Sequence, residues 1–503
     1  MRFHWLKLKI LQEPKNSTIV DMRIKTGSNN NTKANKDTAK EYEYKMIRWK
    51  RTRENASIFI IFQINKGVYV VKKLLSVMLA SVVLLSACST GGTKNESSNT
   101  GSEGSTKPKE ITVWAWDPAF NIAAMNVAKD AYAKVNPDVT VNVVENAQAD
   151  IVQKLNTGLN SGSTKGLPNI VLIEDYRAQS FLQAYPDSFY ELTDLVKADN
   201  FADYKIGPTS IDGKQYGVPF DSGVTGMYVR TDYLEQAGYS LDALQDIDWK
   251  QYIEIGEAVK AKTGKSMLTL DPNDLGLIRV MIQSAGAWYT GDDGQTPTIE
   301  GNAALKEALV LYKDMMDSGI VKVNSDWSQF VGAFNGGEVA TVPTGNWITP
   351  SIKAEASQSG KWAVAPLPKL ATTEGSVHAS NLGGSSWYVM NVEGKEAAAE
   401  FLAKTFASDA ELYQTLNTKV GVIGTLKAAA SGEAYSAADE FFKGQKVVSD
   451  FAAWTEQIPN VNYGMNTYAI EDIMVVAVQS YLGGKDVDTV LKDAQKQADT
   501  QIR

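Results

Sequence analysis

Residues 111–175 read ITVWAWDPAFNIAAMNVAKDAYAKVNPDVTVNVVENAQADIVQKLNTGLNSGSTKGLPNIVLIED, and the rhythm of this stretch decides the fold class. ITVWAWD (111–117) carries the β-branched and aromatic residues of a strand. Ala124, Val127, Ala128, Ala131 and Val135 then recur at the spacing of one helix face, until Asn136-Pro137 breaks it. VTVNVV (139–144) alternates as a second strand, IVQKLNTGLNSG (151–162) reads as a second helix, and NIVLIED (169–175) as a third strand. Strands alternating with helices favour a parallel sheet covered on its faces. From Ile111 to the end is more chain than one hydrophobic core usually holds, so two α/β lobes are expected. Further helices are predicted over 302–317, 395–416 and 466–482, with a final amphipathic one from Val487, and there is no internal repeat.

Upstream, VKKLLSVMLASVVLLSAC (71–88) has two lysines before an apolar run that ends in Leu-Ser-Ala-Cys. That is the layout of a secretory signal peptide. The run from Leu74 to Ala87 is 14 residues, short of the roughly 20 that a membrane-crossing helix needs. Leu85-Ser86-Ala87-Cys88 resembles the bacterial lipobox, whose cysteine is lipidated and becomes the first residue of the mature protein. Cys88 is the one cysteine in the chain, so no internal disulfide can form, and a thiol consumed by lipidation fits an exported protein. Residues 70–87 are therefore expected to be removed. Residues 1–69 are polar and basic with an isolated apolar patch, SIFIIFQI, and are read as upstream sequence in frame, translation starting near Val70 or Val71. Residues 88–109 are rich in Ser, Gly, Thr and Lys and read as a flexible tether, with a span on the order of 25 Å.

Of the chain's 50 Lys and Arg and 58 Asp and Glu, residues 1–87 hold 17 and 6. That leaves 33 against 52 from Cys88 onward, a net charge of −19. Such a field repels polyanions, so no nucleic acid is expected as a partner. His378 is the only histidine in that region, and with no free thiol there is no basis for a metal cluster or a His-dependent triad. AKTGKS (261–266) has Val259 where a phosphate-binding loop needs glycine. No cofactor is expected.

In open α/β sheets ligands gather beyond the carboxyl ends of the strands. The residues there are Trp116, Asp117, Phe120 and Asn121 after the first strand, Glu174 and Asp175 after the third, and Asp221 after YGVPF. Aromatic rings and carboxylates together suit a sugar, whose C–H face packs on a ring while its hydroxyls donate to carboxylates. Trp114 and Trp116 share a strand face, and Trp116, nearer the end, is the better candidate. Trp249, after Asp248 at a helix start, reads as structural.

DGKQYGVPFDSGVTGMYVRTDYLEQAGY (212–239) resembles the signature segment of the extracellular solute-binding protein family 1, the sugar receptors of bacterial importers. Six further blocks are similar to that family in the same order: ITVWAWD, LPNIVLIED, FNGGEVATVPTGNW, WAVAPLP, GGSSWYVM and SYLGGKDVDTVLKDAQKQ. The resemblance implies a periplasmic-binding-protein-like fold, two α/β lobes joined by a hinge that the chain crosses near 219–221, 366–369 and 424–432. Lobe 1 would take 110–220 and 370–428, and lobe 2 would take 221–369 and 429–503. It implies ligand contacts at Trp116, Asp117, Glu174, Asp175, Asp221, Gly345, Asn346, Trp347, Gly384, Ser385 and Trp387, to which the strand-end reading adds Asn121. Trp288, after SAGA, is added on similar grounds, as is an aromatic from YGMNTY, with Tyr463 placed ahead of Tyr468. The implied function is that of a monomeric sugar-binding protein, held at the outer face of the cytoplasmic membrane by lipid on Cys88. It would close on a small carbohydrate, serve the permease subunits of an ABC transporter, and catalyse nothing. The alternatives are a surface-tethered glycoside hydrolase, whose cleft also pairs carboxylates with aromatics, and the same fold carrying a non-sugar or acidic ligand, which Arg177 and Arg230 keep open.

Overall fold

The computed structural model describes the backbone of residues 2–13, 17–27, 40–49, 59–64, 67–69 and 109–502, with side chains over 110–502. The expected signal peptide at 70–87, Cys88 and the expected tether, save the backbone of residue 109, lie outside the described residues. Two compact units are present, Met1–Ser102 and Glu103–Arg503.

In the first unit the strands Arg2–Glu13, Ser17–Gly27, Lys40–Trp49, Phe59–Ile64 and Gly67–Tyr69 pair antiparallel in sequence order. Strand patterns are thus present in residues 1–69 beyond the isolated apolar patch. Leu6-Lys7-Leu8-Lys9-Ile10 and Tyr42-Glu43-Tyr44-Lys45-Met46 alternate with period two, which is the strand signal, and FIIFQI (59–64) is the fourth strand.

The second unit holds a five-stranded sheet, a three-stranded sheet and two two-stranded pairs, one of them Ser210–Ile211 with Lys214–Gln215. The first contains β1 (Lys109–Ala115), β2 (Val139–Glu145), β3 (Ile170–Glu174), β4 (Gly217–Asp221) and β10 (Ser385–Val389), in the order β4-β10-β3-β1-β2. Strand β1 runs parallel to β2 and β3, linked by α1 (Asn121–Ala133) and α2 (Gln148–Asn160), as the strand–helix rhythm predicts. Strand β10 is antiparallel to both β3 and β4, so the sheet is mixed where a parallel one was expected. Period-two alternation sorts its side chains. Ile111, Val113, Leu172, Trp387 and Val389 join one core with α1, α8 (Lys395–Lys404) and α9 (Ala410–Val420). Val171, Ile173, Tyr388 and Met390 face the other way, onto α2 and α3 (Asp175–Ala184).

The second sheet contains β5 (Thr225–Arg230), β8 (Thr341–Gly345) and β9 (Trp362–Ala365) in the order β8-β5-β9, and beside it stands the pair β6 (Leu268–Leu270) and β7 (Val321–Val323). Strand β7 is parallel to β6, and β5 is antiparallel to both β8 and β9. Backbone bonds from Ala340 N to Ser266 O and from Thr341 N to Met267 O tie the residues just before β6 to the start of β8. Met227 and Val229 pack into a core with α4 (Trp249–Thr263), α5 (Gly276–Ser284), α6 (Ala303–Asp317), α11 (Thr467–Leu482) and α12 (Val487–Gln501). Trp249 is buried in that core behind a capping box of Asp248 and Gln251, the structural role read for it.

The helix expected over 395–416 is two helices, broken between Lys404 and Ala410. The Thr405 hydroxyl bonds the Phe401 carbonyl at 2.6 Å, and Asp409 opens α9 by accepting from the Leu412 amide. Val135, assigned to the first helix face, lies past the end of α1 and is exposed.

The chain passes between the sheets three times. Residues 221–225 form one strap, which pairs with Gly424 through Asp221 and with Asn381 through Val224. The passage expected at 366–369 comes later, at 380–384, because Lys369 still bonds Ile247 among the residues around the second sheet. The third starts at Gly424 and reaches Gln445, whose amide bonds both backbone groups of Val364 at 2.8 Å.

Candidate functional site

Between the two sheets lies a cleft of about 640 Å³. Its walls are the ends of parallel strands and the turns that follow them: Trp116–Asn121 after β1, Glu174 at the end of β3, Asp271–Gly276 after β6 and Asn324–Trp327 after β7. This is the placement that parallel-strand topology dictates for a ligand site.

The floor is a single row across three strands. Asp221 of β4 stands opposite Ser385 of β10, and Ser385 stands opposite Glu174 of β3. One oxygen of Asp221 accepts the Ser385 backbone N–H at 2.8 Å and also the Ser385 hydroxyl. Burial raises the Asp221 carboxyl above its usual range, with Lys205 pulling the other way. Gly384 takes φ +81, and a Cβ there would come 2.9 Å from Asp175 Oδ2, so the row begins on a residue that only glycine suits. Glu174 accepts the Tyr468 hydroxyl, and Arg177 stands 3.6 Å from Glu174 and 3.7 Å above the Tyr468 ring.

At the β1 end, Asp117 accepts the Ala119 and Phe120 amides at 2.8 and 3.2 Å, which opens α1. The buried Asn121 side-chain oxygen accepts the amides of Trp116 and Asp117, both at 3.1 Å, and so aims the Trp116 ring into the cleft. Across the gap, Trp347 follows β8 and donates from Nε1 to the Leu382 carbonyl at 2.8 Å. Its ring packs beside Trp327, which opens α7 (Trp327–Asn335) and is 56 % exposed, and Phe330 lies beyond. Thr269, Asp271, Asp274, Arg279, Asn324, Asp326 and Trp327 escaped the sequence reading. The signal for Trp327 was present, a tryptophan directly after the helix-capping pair Ser325-Asp326.

The structure brings Trp116, Asp117, Asn121, Glu174, Asp221, Trp347, Gly384 and Ser385 to one cleft. Other expected residues are elsewhere. Asp175 is fully buried beneath the floor, bound to Lys205 and to the Ser386 hydroxyl at 2.8 Å, and burial lifts its carboxyl to about 6 against the pull of Lys205. Trp387 points to the opposite side of β10 from Ser386 and packs on Phe220 and Phe406 in the core. Asn346 is buried with its backbone N–H on the Val224 carbonyl. Trp288 and Tyr463 are buried in an aromatic cluster with Tyr176, their ring centres 4.8 Å apart. Tyr463 accepts from Gln283, while Tyr468, its rival, is the one that reaches Glu174.

The lining carries six carboxylates, Asp117, Glu174, Asp221, Asp271, Asp274 and Asp326, against one cation. That cation, Arg279, is spoken for by Glu471 and by Asp274 at 3.7 Å. Arg230, held by Asp232, lies outside the cleft lining. The arrangement offers acceptors and ring faces, and no residue in the lining is a histidine or a cysteine. Among the described residues no group of acidic, histidine or cysteine side chains could hold a metal ion.

The family described as bacterial extracellular solute-binding protein matches residues 128–443. Over 395 residues the chain is 48% identical to the lactose-binding protein of Rhizobium radiobacter, covering 78% of this chain and 93% of that one. It is 28% identical over 350 residues to the arabinooligosaccharide-binding protein of Bacillus subtilis (strain 168), covering 68% and 77%. The solved structure of the ABC transporter associated binding protein from B. animalis subsp. lactis Bl-04 in complex with beta-1,6-galactobiose superposes with a TM-score of 0.63 at 21% identity, covering 77% of this chain and 96% of that one. That last likeness concerns the fold, two α/β lobes around a cleft. The family match over most of the second unit and the extent of the first relative's identity together place this chain among the bacterial extracellular solute-binding proteins.

Proposed function

We propose that the protein binds a neutral sugar of disaccharide or short oligosaccharide size, lactose or a similar galactoside, and passes it unchanged to the permease of an ABC transporter. The observation that carries this is the pairing of aromatic faces on both sides of the cleft, Trp116 and Phe120 against Trp327, Phe330 and Trp347, over a floor of acceptors. Rings supply the apolar contact for a pyranose face, and carboxylates take its hydroxyl protons in charge-assisted bonds. The volume of about 640 Å³ suits a small ligand rather than a polymer. An anionic sugar would meet six carboxylates and one already paired guanidinium. The lactose-binding relative favours a galactoside among neutral sugars.

Contacts to both lobes give the ligand its differential affinity for the closed state, and closure is what the permease reads. The ligand contacts are those of Trp116, Asp117, Glu174, Asp221, Trp347 and Ser385. With translation from near Val70 or Val71, lipid on Cys88 holds the protein as a monomer at the outer membrane face. Titration calorimetry with lactose and other neutral oligosaccharides tests the reading, with recovery of the ligand afterwards. Saturable binding with intact sugar recovered is expected. Recovery of monosaccharides would make the protein a hydrolase, and binding of uronates in place of neutral sugars would overturn the ligand class.

A further inference from the structure

Lys205 lies under the cleft floor with none of its side chain exposed. An ammonium has three N–H groups and no acceptor. Here all three are used: on Asp175 Oδ2, on the Asp221 carbonyl at 2.9 Å and on the Ser385 carbonyl at 3.0 Å. The three acceptors belong to adjacent strands of one sheet, at the residue just after β3, the last of β4 and the first of β10. Two of them are the backbones of the residues whose side chains line the floor, and the third is the neighbour of Glu174.

Removing an ammonium from water is costly, and an apolar side chain of similar size often serves stability as well or better. A buried lysine at this point therefore needs a reason beyond filling space. The same cation serves two buried carboxylates, since Asp175 is fully buried and Asp221 is 4 % exposed. The other ionisable groups around the pair are the phenols of Tyr176, Tyr204, Tyr388, Tyr413 and Tyr463, all held neutral by burial. Asp221 makes its side-chain bonds through Oδ1 alone, so Oδ2 is the oxygen left for the cleft.

We propose that Lys205 is the positioning residue of the ligand floor: it touches no sugar, but its three bonds fix the spacing of Asp221, Ser385 and Glu174 that the sugar hydroxyls meet. This rests on the sugar-binding reading above. Its charge beside Asp221 also opposes the burial that raises that carboxyl, so loss of the lysine should move the acid limb of binding upward.

The test compares lactose affinity of the full-length protein, K205M and the double variant K205M/D175N by calorimetry from pH 7.5 to 4.5, with thermal melts alongside. The double variant removes the buried charge imbalance along with the lysine. It should melt cooperatively, bind lactose at least about tenfold more weakly, and lose binding at a higher pH than the unsubstituted protein. If it binds with unchanged affinity and an unchanged acid limb, Lys205 is only the charge partner of Asp175 and the proposal falls. Failure of the double variant to fold would also overturn it, making Lys205 a folding residue. Absence of binding of any neutral sugar by the unsubstituted protein would remove the sugar reading and this proposal together, a result distinct from either of those.

Discussion

The indole rings of Trp327 and Trp347 lie 5.9 Å apart with 38° between their planes, and the two are held very differently. Trp347 is pinned by its bond to the Leu382 carbonyl in the strap between lobes, whereas Trp327 is more than half exposed at the mouth. Replacing Trp327 by Ala should weaken lactose binding by about tenfold, roughly 1.4 kcal/mol, from lost ring contact, while leaving the melting temperature in place. Trp347→Ala should lower both affinity and melting temperature. Calorimetry and a melt on each variant check this, and a Trp327 variant that binds normally would remove the outer wall from the site.

Gly384 is a conformational prediction. At φ +81 with Asp175 Oδ2 in the path of any Cβ, Gly384→Ala should cost about 1–3 kcal/mol of stability and disturb the Asp221–Ser385 row beside it. Chemical denaturation measures the first effect and lactose titration the second. A variant as stable as the parent would show that the floor is not built on this turn.

Stability should depend on pH with an unusual sign. Asp175 titrates at about 6 when folded and near 3.9 when unfolded, so between those values the folded protein holds a proton that the unfolded chain has lost. Stability from this group falls as pH rises through that window, and the penalty is complete above it. Asp221 and Glu471 are also raised, both mainly by burial. Asp246, held down by Lys369 and His378, and Glu191, held down by Lys214 and Thr193, act oppositely, losing stability as the solution becomes strongly acidic. The melting temperature should therefore rise on going from pH 7.5 to about 5.5 and fall below about 4. A profile that declines steadily from pH 7.5 downward in scanning calorimetry would contradict the buried acids.

Cys88→Ser should release the protein from the membrane. Two or more acyl chains anchor firmly, at about 0.8 kcal/mol per buried methylene, and the serine variant has no thiol to carry them. Detergent partitioning and fractionation of expressing cells check this. A serine variant that stays with the membrane would mean that another element anchors it.

Much of the fold follows from local pattern. Strands at 111–117, 139–144 and 169–175 and the helices after Asn302 and Val487 are legible because period two and period 3.6 are properties of neighbouring residues. The break in the 395–416 helix was missed although Asp409 marks it, because the apolar spacing runs on across Thr405–Asp409 and a cap is a weaker signal than periodicity. The strand end with Trp116 and Asp117 was legible for a similar local reason: ligands collect beyond parallel strands.

What the chain by itself determined is the pair of lobes, the acidic character and the presence of rings and acids at strand ends. What only the tertiary structure decided is which of them face the gap. Asp175 follows Glu174 directly, yet one is sealed against Lys205 and the other opens to the cleft, because consecutive residues at a strand end point to opposite sides. Trp327 and Arg279 come from segments far in sequence from Trp116, Glu174 and Asp221, and only the folding of the second sheet against the first brings them to the same space.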